Sequence, residues 1–206
     1  MKILIVNGSP RKNSNSARLI KEITDVFDNY HVEYEVLEIG GNNIPGCHAC
    51  NYCEKGEGCV FNDIVNETAV KLKQADGLII VSPVYYASPN GTLICFLDRL
   101  FYSANYDLTM KVGAAFVIAR RAGTVSSFDV LNKYFTISGM PVVSGDYWNN
   151  GFGSRGNEIE QDPEGLRNAR VVARRMIFLI NAIKDGKEKY PELLQKEGEI
   201  WTNFIK

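Results

Sequence analysis

The sequence predicts a doubly wound α/β fold, a five-stranded parallel sheet with helices on both faces. Three continuous apolar runs, at residues 3–6, 78–81 and 112–119, are typical of strands buried on both faces. Each run is followed by a polar loop and then by apolar residues at helical spacing. Strands that alternate with helices in this way form parallel sheets through crossover connections.

The remaining elements complete this pattern. Residues 32–36 alternate apolar and polar side chains, which predicts a half-polar second strand at a sheet edge. We expect a short fifth strand at residues 140–143 and a helix at residues 65–74. Another helix should follow residue 124 and end near residue 137, and periodic apolar residues at 19–27, 93–101 and 169–180 predict three more. A second strand at the edge fits the flavodoxin-like order 2-1-3-4-5.

Length and composition bound the range of functions. The 206 residues suffice for one well-buried domain, which we expect over residues 1–185 with a cysteine-rich loop at 40–62. Residues 186–206 would form a C-terminal helical tail used for packing or oligomer contacts. The net charge of −1 gives no reason to expect nucleic acid or an anionic membrane as a partner. Without a signal-peptide pattern or a membrane-length apolar run, the expected location is the cytoplasm.

The loop after the first strand has the composition of an anion site. Asn7 to Ser16 is rich in Gly, Ser and Asn, carries Arg11, and leads directly into a helix. Backbone N–H groups, hydroxyls and a guanidinium at the positive end of a helix suit a phosphate group. The same residues could simply turn the chain and cap the helix. This loop lacks the glycine patterns that hold a nucleoside triphosphate or a nicotinamide dinucleotide.

Three loops would meet at one crevice in this topology. Strands 1 and 3 flank the switch point, so the loops at their carboxyl ends, and the loop at 120–124, open on the same edge. Pro83 stiffens the second loop, and Tyr85 and Tyr86 could stack on a planar ring or serve ordinary packing. A phosphate at one end and a flat ring at the other describe flavin mononucleotide (FMN).

The sequence resembles the NADPH-dependent FMN reductase family of flavodoxin-like proteins, close to its iron–sulfur flavoprotein branch. The matching stretches cover most of residues 1–145 and lie at residues 8–16, 82–86, 96–99 and 120–124 and in the cysteine cluster. The resemblance implies bound FMN with three groups of contacts. Those at the phosphate are Ser9, Arg11, Ser14, Asn15 and Ser16; those beside the ring are Pro83, Val84, Tyr85 and Tyr86; those near its pyrimidine side are Arg121, Ala122 and Gly123.

Four cysteines at Cys47, Cys50, Cys53 and Cys59 form a compact cluster in the sequence. Thiolates spaced this closely in one loop can ligate a single [4Fe–4S] cluster. Structural zinc sites more often pair two separated knuckles, and reduced thiols are a third reading. The spacing does not distinguish between these alternatives. Cys95 lies in an apolar helical stretch and is expected in the core.

The leading functional prediction is an oxidoreductase in which bound FMN takes a hydride from NAD(P)H. The reduced flavin would then pass electrons to a small acceptor such as a quinone, an azo or nitro compound, or free flavin. Because the flavin performs the chemistry, no side chain is assigned as a catalytic residue. The alternative is an electron-transfer iron–sulfur flavoprotein, which takes electrons from ferredoxin through the cluster. A strongly acidic flavodoxin-type carrier fits less well with a net charge of −1.

The resemblance also implies a homodimer or homotetramer with FMN near subunit contacts. Tyr102, Tyr106, Trp148 and the tail residues 190–204 are candidate contact residues. Packing within one subunit would explain them equally well.

Overall fold

Helices and strands alternate along the chain, as the sequence predicts. The structure is a computed structural model that describes residues 1–56, 58–195, 197–198, 200, 202 and 204. The strands are β1 Lys2–Asn7, β2 Glu33–Glu38, β3 Gly77–Tyr85, β4 Ser88–Pro89, β5 Val112–Ala119 and β6 Asn150–Phe152. The α-helices are α1 Asn15–Asn29, α2 Ile64–Gln74, α3 Gly91–Ser103, α4 Thr124–Ile137 and α5 Pro163–Lys189. Single 3₁₀ turns lie at Tyr52–Lys55, Glu158–Gln161 and Pro191–Leu194.

The sheet has the predicted flavodoxin-like order. Its strands run β2-β1-β3-β5-β6, all parallel, and the two-residue β4 pairs antiparallel with the end of β3. With β4 left out of the count, this is the order 2-1-3-4-5. The half-polar β2 lies at an edge and pairs only with β1 within the described residues, which confirms the expectation from its alternating sequence.

The fifth strand is not where the sequence predicts it. In residues 140–143 only Val142 forms a bridge, to Gly113 at the start of β5. Pro141 has no N–H to extend the ladder, and the chain leaves the sheet after Val143. It returns as β6, which pairs with the other end of β5. The apolar run at 140–143 therefore reflects burial and not a strand. The type of secondary structure cannot be assigned from the periodicity of so short a run.

The helices bury a separate apolar core on each face of the sheet. The first core packs α1 and α5 against side chains such as Ile5, Ile79 and Phe116. The second packs α2, α3 and α4 against side chains such as Leu4 and Ile80. Successive residues of β1 and β3 thus point to opposite cores, which is why both strands are continuously apolar.

The C-terminal segment begins with the last turns of α5, which continues past residue 185 to Lys189. Of the expected tail at 186–206, residues 196, 199, 201, 203, 205 and 206 lie outside the described residues, as does residue 57 of the cysteine loop. Leu193, Ile200 and Phe204 in the described part are exposed. No helix within the described residues combines the length and the apolarity needed to span a bilayer.

Candidate functional site

One cleft forms at the carboxyl ends of β1, β3 and β5. Ser9 and Tyr85, which belong to loops far apart in the sequence, both line it. The cleft has a volume of about 190 Å³. Its lining consists of Ser9, Arg11, Ser14, Asn15, Ser16, Pro83, Val84, Tyr85, Ile118, Ala119, Arg120, Gly153, Ser154, Arg155 and Gly156.

The loop between β1 and α1 forms the first wall. The N–H of Gly8 donates to the carbonyl of Val81 at 2.8 Å, which holds the loop against β3. Asn7 then shapes the turn, because its Oδ1 accepts from the N–H of Ser9 at 3.0 Å while its Nδ2 donates to Glu38 at 2.9 Å. Asn7 is not among the individually predicted contact residues, and its role is to orient the loop beneath the cleft.

The start of α1 supplies free backbone donors to this wall. Ser14 is the N-cap, and its Oγ accepts from the N–H of Ala17 at 3.1 Å. The N–H groups of Asn15 and Ser16, in the first turn, have no intrahelical acceptor. Both residues are buried and line the cleft. The positive end of the helix dipole therefore lies at the cleft.

A third loop, residues 153–156, closes this side of the cleft. It is tied to α1 by the buried Oδ1 of Asn15, which accepts from the N–H of Ile159 at 3.1 Å. Nη1 of Arg11 also donates to the carbonyl of Ser154 at 3.2 Å. This loop is not among the segments predicted for the site. Its Gly-Phe-Gly-Ser-Arg-Gly sequence at 151–156 has the same small and basic composition as the first loop, and that signal could have identified it.

The cleft carries positive charge. Arg11, Arg120 and Arg155 line it, and none of its described lining residues is acidic. Glu158 lies just behind the third loop, where it accepts from the N–H of Ser154 at 2.7 Å and from that of Arg155 at 3.0 Å. These hydrogen bonds, with the charges of Arg155 and Arg120, lower the pKa of Glu158. The carboxylate thus stabilises the loop without facing the cleft lining.

A tight hairpin between β3 and β4 forms the opposite wall. Pro83, Val84 and Tyr85 line the cleft, whereas Tyr86 is fully exposed at the turn. Tyr86 and Ala87 have φ values of 50° and 58°, the conformation of a two-residue type I′ turn. Non-glycine residues at positive φ are strained, and such strain is often found at functional sites.

The loop after β5 supports this hairpin. The sequence predicts Arg121, Ala122 and Gly123 at the site, but the cleft lining contains their neighbours Ala119 and Arg120. Gly123, with φ +89°, packs behind the turn, and a Cβ there would lie 2.8 Å from the Cα of Ala87. Oγ of Ser126 donates to the carbonyl of Ala87 at 2.8 Å. Gly123 therefore contacts the hairpin and supports it from behind, and it does not line the cleft.

The cysteine loop lies beside the first wall. It begins at Gly40, where a Cβ would lie 2.1 Å from the carbonyl oxygen of Gly8. The four cysteines predicted as ligands line one small pocket of about 20 Å³, which Cys95 does not line. The full lining is Cys47, His48, Cys50, Asn51, Cys53, Cys59, Val60, Phe61, Arg99, Tyr102 and Ser103.

The thiols of this pocket differ in exposure. Cys47 and Cys50 are exposed, Cys59 is half-buried and Cys53 is buried. Burial raises the pKa of Cys53, and the three neighbouring cysteines add to that shift. In the part of the chain that the structure describes, no three His, Cys, Asp or Glu side chains are grouped closely enough to hold a metal ion as they stand.

The sequence and the structure are each similar to those of known proteins, among them flavoproteins and oxidoreductases. The sequence profile described as NADPH-dependent FMN reductase matches residues 1–154. The chain is 30% identical over 194 residues to an iron–sulfur flavoprotein of Methanosarcina thermophila, covering 92% of this chain and 100% of that protein. It is 28% identical over 192 residues to an iron–sulfur flavoprotein of Methanocaldococcus jannaschii, covering 89% and 100% of the two chains. A solved NAD(P)H:quinone oxidoreductase from Methanothermobacter marburgensis has the same fold, with a TM-score of 0.67, 18% identity and coverage of 85% and 96%.

Proposed function

The chain belongs to the NADPH-dependent FMN reductase family, and on this premise we propose that it is an FMN-dependent oxidoreductase of the iron–sulfur flavoprotein type. The observation that carries the proposal is that the Ser9 loop and the Tyr85 hairpin line the same cleft. One wall offers anion donors and the other offers a flat, partly apolar surface. These are the two recognition elements that FMN requires.

The phosphate of FMN fits the first wall. Ser9, Ser14 and Ser16 offer hydroxyls, and the first turn of α1 offers N–H groups without intrahelical acceptors. Arg11 supplies a charge-assisted hydrogen bond to a phosphate oxygen. Ser9, Ser14 and Ser16 are all buried, so the hydroxyls are held in place before the ligand arrives.

The ring of FMN would extend along the hairpin. The cleft of about 190 Å³ is smaller than the roughly 300–1,000 Å³ of pockets that surround a whole ligand of this size. It therefore suits the phosphate and sugar-alcohol end, with the ring reaching outward past Val84 and Tyr85. Tyr85 is 41% exposed, which leaves an aromatic face for contact with a flat ring.

When bound, FMN supplies the redox chemistry, accepting a hydride or single electrons and releasing them to an acceptor. The chain's own residues bind and orient the cofactor. Arg120 adds a second positive charge to the cleft lining, and a cation near the ring would favour its reduced, anionic form. The proposal needs no side chain to act as an acid or base.

The cysteine loop suits a [4Fe–4S] cluster held by Cys47, Cys50, Cys53 and Cys59. All four thiols line one pocket, and thiolates are the ligands of such clusters. Two further features of the pocket support this assignment. Arg99 contributes a buried positive charge, and Ser103 contributes a buried Oγ without a hydrogen-bond partner among the described residues. A bound cluster supplies single-electron transfer, which would connect an external donor to FMN.

A second candidate is direct reduction by NAD(P)H without a cluster, with electrons passing to a small acceptor such as a quinone. The family description, which names NADPH, favours it. In this case the cysteines would remain thiols, and FMN would be the only redox group in the protein.

The test of the iron–sulfur proposal is analysis of protein purified without oxygen. We expect FMN together with about four irons and four sulfides per chain, as a single cubane requires. Cys53→Ser should lose the iron and keep FMN, whereas Cys95→Ser should keep both. Stoichiometric FMN without iron in the wild type would instead favour the second candidate.

The electron donor is tested on the same preparation. Reduced ferredoxin, NADPH and NADH are each mixed anaerobically with the protein while the flavin absorbance is followed. Rapid bleaching by ferredoxin, and slow bleaching by both pyridine nucleotides, is the expected result. Failure of all three donors to reduce bound FMN would contradict both candidate functions.

A further inference from the structure

Arg99, on α3, is the only charged side chain in the fully buried class among the described residues, with 1% of its surface exposed. It forms part of the wall of the cysteine pocket. A buried charge is costly unless it is paired and hydrogen-bonded. The partners of Arg99 therefore indicate why the chain keeps a charge at this position.

Asp63 holds the guanidinium in a fixed plane. Nη1 and Nη2 of Arg99 donate to the two carboxylate oxygens of Asp63 at 2.7 and 2.9 Å. Nη1 also lies 3.4 Å from the carbonyl oxygen of Pro45. Asp63 is itself fixed, because it caps α2 by accepting from the N–H of Val65 at 3.1 Å. The ring of Phe61 lies over the guanidinium with its centroid 4.6 Å away.

The Nε–H group of Arg99 points at a cysteine. Nε donates to Sγ of Cys59 at 3.2 Å. The ion pair with Asp63 already balances the buried charge, so this fourth contact is not needed to compensate it. The geometry instead directs one N–H of a fixed cation at one of the four sulfurs of the pocket.

We propose that Arg99 is a positioning residue for an iron–sulfur centre, which holds Cys59 as a ligand and raises the reduction potential of that centre. The inference rests on the proposed function, since it requires a cluster on the four cysteines. Hydrogen bonds to the sulfurs and nearby positive charge are the means by which a protein tunes such potentials. One-electron reduction adds a negative charge beside Arg99 without making or breaking a bond, and the cation stabilises that added charge.

Asp63 has the opposite electrostatic effect. Its carboxylate lies on the far side of the guanidinium from Cys59 and partly offsets the positive charge. Neutralising Arg99 should therefore lower the potential, and neutralising Asp63 should raise it. A purely structural pair would behave differently, because loss of either partner would disturb the loop in the same way.

The experiment is an anaerobic redox titration, with dithionite as the electron source and the cluster followed by electron paramagnetic resonance. The proteins are the wild type, Arg99→Gln, Arg99→Lys and Asp63→Asn. Asn at 63 keeps an oxygen to cap α2, and Lys at 99 keeps the charge but lacks Nε. We expect a more negative midpoint potential for Arg99→Gln, a smaller negative shift for Arg99→Lys and a positive shift for Asp63→Asn.

The controls are Glu22→Gln and Arg170→Gln, which neutralise the partners of an ion pair between α1 and α5. Both should leave the potential unchanged. The inference would be overturned if the midpoint potentials of Arg99→Lys and Asp63→Asn shifted in the same direction, or if neither shifted. This criterion still applies if Arg99→Gln fails to fold. Wild-type protein without iron would overturn the proposed iron–sulfur function itself. Iron analysis distinguishes that result from failure of the Arg99 inference alone, in which iron is present but the midpoint potential does not shift.

Discussion

The Oδ1 of Asn15 accepts a hydrogen bond from the backbone N–H of Ile159 at 3.1 Å, although the two residues are 144 positions apart in the chain. Both groups are buried. The bond joins the first turn of α1 to the 3₁₀ turn that follows the loop at 153–156. The start of α1 and this loop both line the cleft. Together with the hydrogen bond from Arg11 to the carbonyl of Ser154, this amide couples the order of the third loop to the phosphate wall.

Asn15→Ala should weaken both the fold and the cofactor site. The substitution leaves the buried N–H of Ile159 without an acceptor, which costs about 1–3 kcal/mol of unfolding free energy. FMN should bind roughly tenfold more weakly, the equivalent of about 1.4 kcal/mol, because the third loop loses one of its ties to α1. Urea unfolding and quenching of flavin fluorescence measure the two effects. Asn181→Ala, at an exposed position of α5, should change neither, and equal FMN affinity in both variants would refute the coupling.

Gly123→Ala should be destabilising although it adds only a methyl group. The backbone at 123 has φ +89°, and the new Cβ would lie 2.8 Å from the Cα of Ala87 and 3.1 Å from Cγ1 of Val84. Because the hairpin must shift, we expect a loss of about 1–3 kcal/mol in stability and weaker FMN binding. Thermal unfolding with and without FMN measures this.

The matched control for that variant is Gly186→Ala, within α5. A Cβ at 186 meets nothing within 4 Å, and the residue has helical backbone geometry. Here the same chemical change should stabilise the protein by about 0.5–1 kcal/mol, the helix-propensity difference between Gly and Ala. If both variants changed the stability of the protein in the same direction, the close contact at Gly123 would not be the cause of the effect of Gly123→Ala.

The sequence predicts those parts of the site whose position depends on the order of the strands in the sheet. Ser9 and Tyr85 follow two strongly apolar strands, and in the order 2-1-3 the carboxyl ends of these strands are neighbours. No detail of side-chain packing is needed for that inference. The half-polar β2 favours an edge position, and a second strand at the edge fits the order 2-1-3-4-5.

The parts that the sequence does not predict depend on local geometry. The edge strand β6 has three residues, too few for any periodic pattern, so the loop at 153–156 has no strand signal to place it beside β5. Arg120 and Arg121 are adjacent in sequence, and only the exact end of β5 at Ala119 decides that Arg120 lines the cleft. Element boundaries are the least certain result of pattern reasoning.

Arg11→Gln should weaken the binding of FMN and leave riboflavin, which lacks the phosphate, almost unaffected. A hydrogen bond to a charged group is worth about 1.5–3 kcal/mol, so FMN affinity should fall at least about tenfold. The salt dependence of FMN binding should also become weaker, because one cation no longer takes part. Titration of both flavins at two salt concentrations measures this. Lys12→Gln, a neighbouring exposed cation outside the cleft lining, is the control and should retain wild-type affinity. A parallel loss for riboflavin would place Arg11 at the ring and not at the phosphate.

The last prediction concerns alkaline pH and Tyr106, whose hydroxyl donates to the carbonyl of Ala69 in α2 at 2.7 Å. Burial raises the pKa of this phenol to about 12, from an ordinary value of 10. Between these values the unfolded chain has lost the proton and the folded chain has kept it. Stability must therefore fall as the pH rises from about 10 to 12.

Tyr106→Phe removes both the hydrogen bond and this titration. At pH 8 the variant should be less stable than the wild type by about 1 kcal/mol, the usual contribution of one buried hydrogen bond. The difference should narrow as the pH passes 10, because only the wild type loses stability through this group. Urea unfolding at a series of pH values measures it, with Tyr30→Phe, at a residue 59% exposed, as the control. The stability difference between Tyr106→Phe and the wild type could instead stay constant up to pH 12. The phenol would then ionise equally readily in the folded and the unfolded chain, and burial would not raise its pKa.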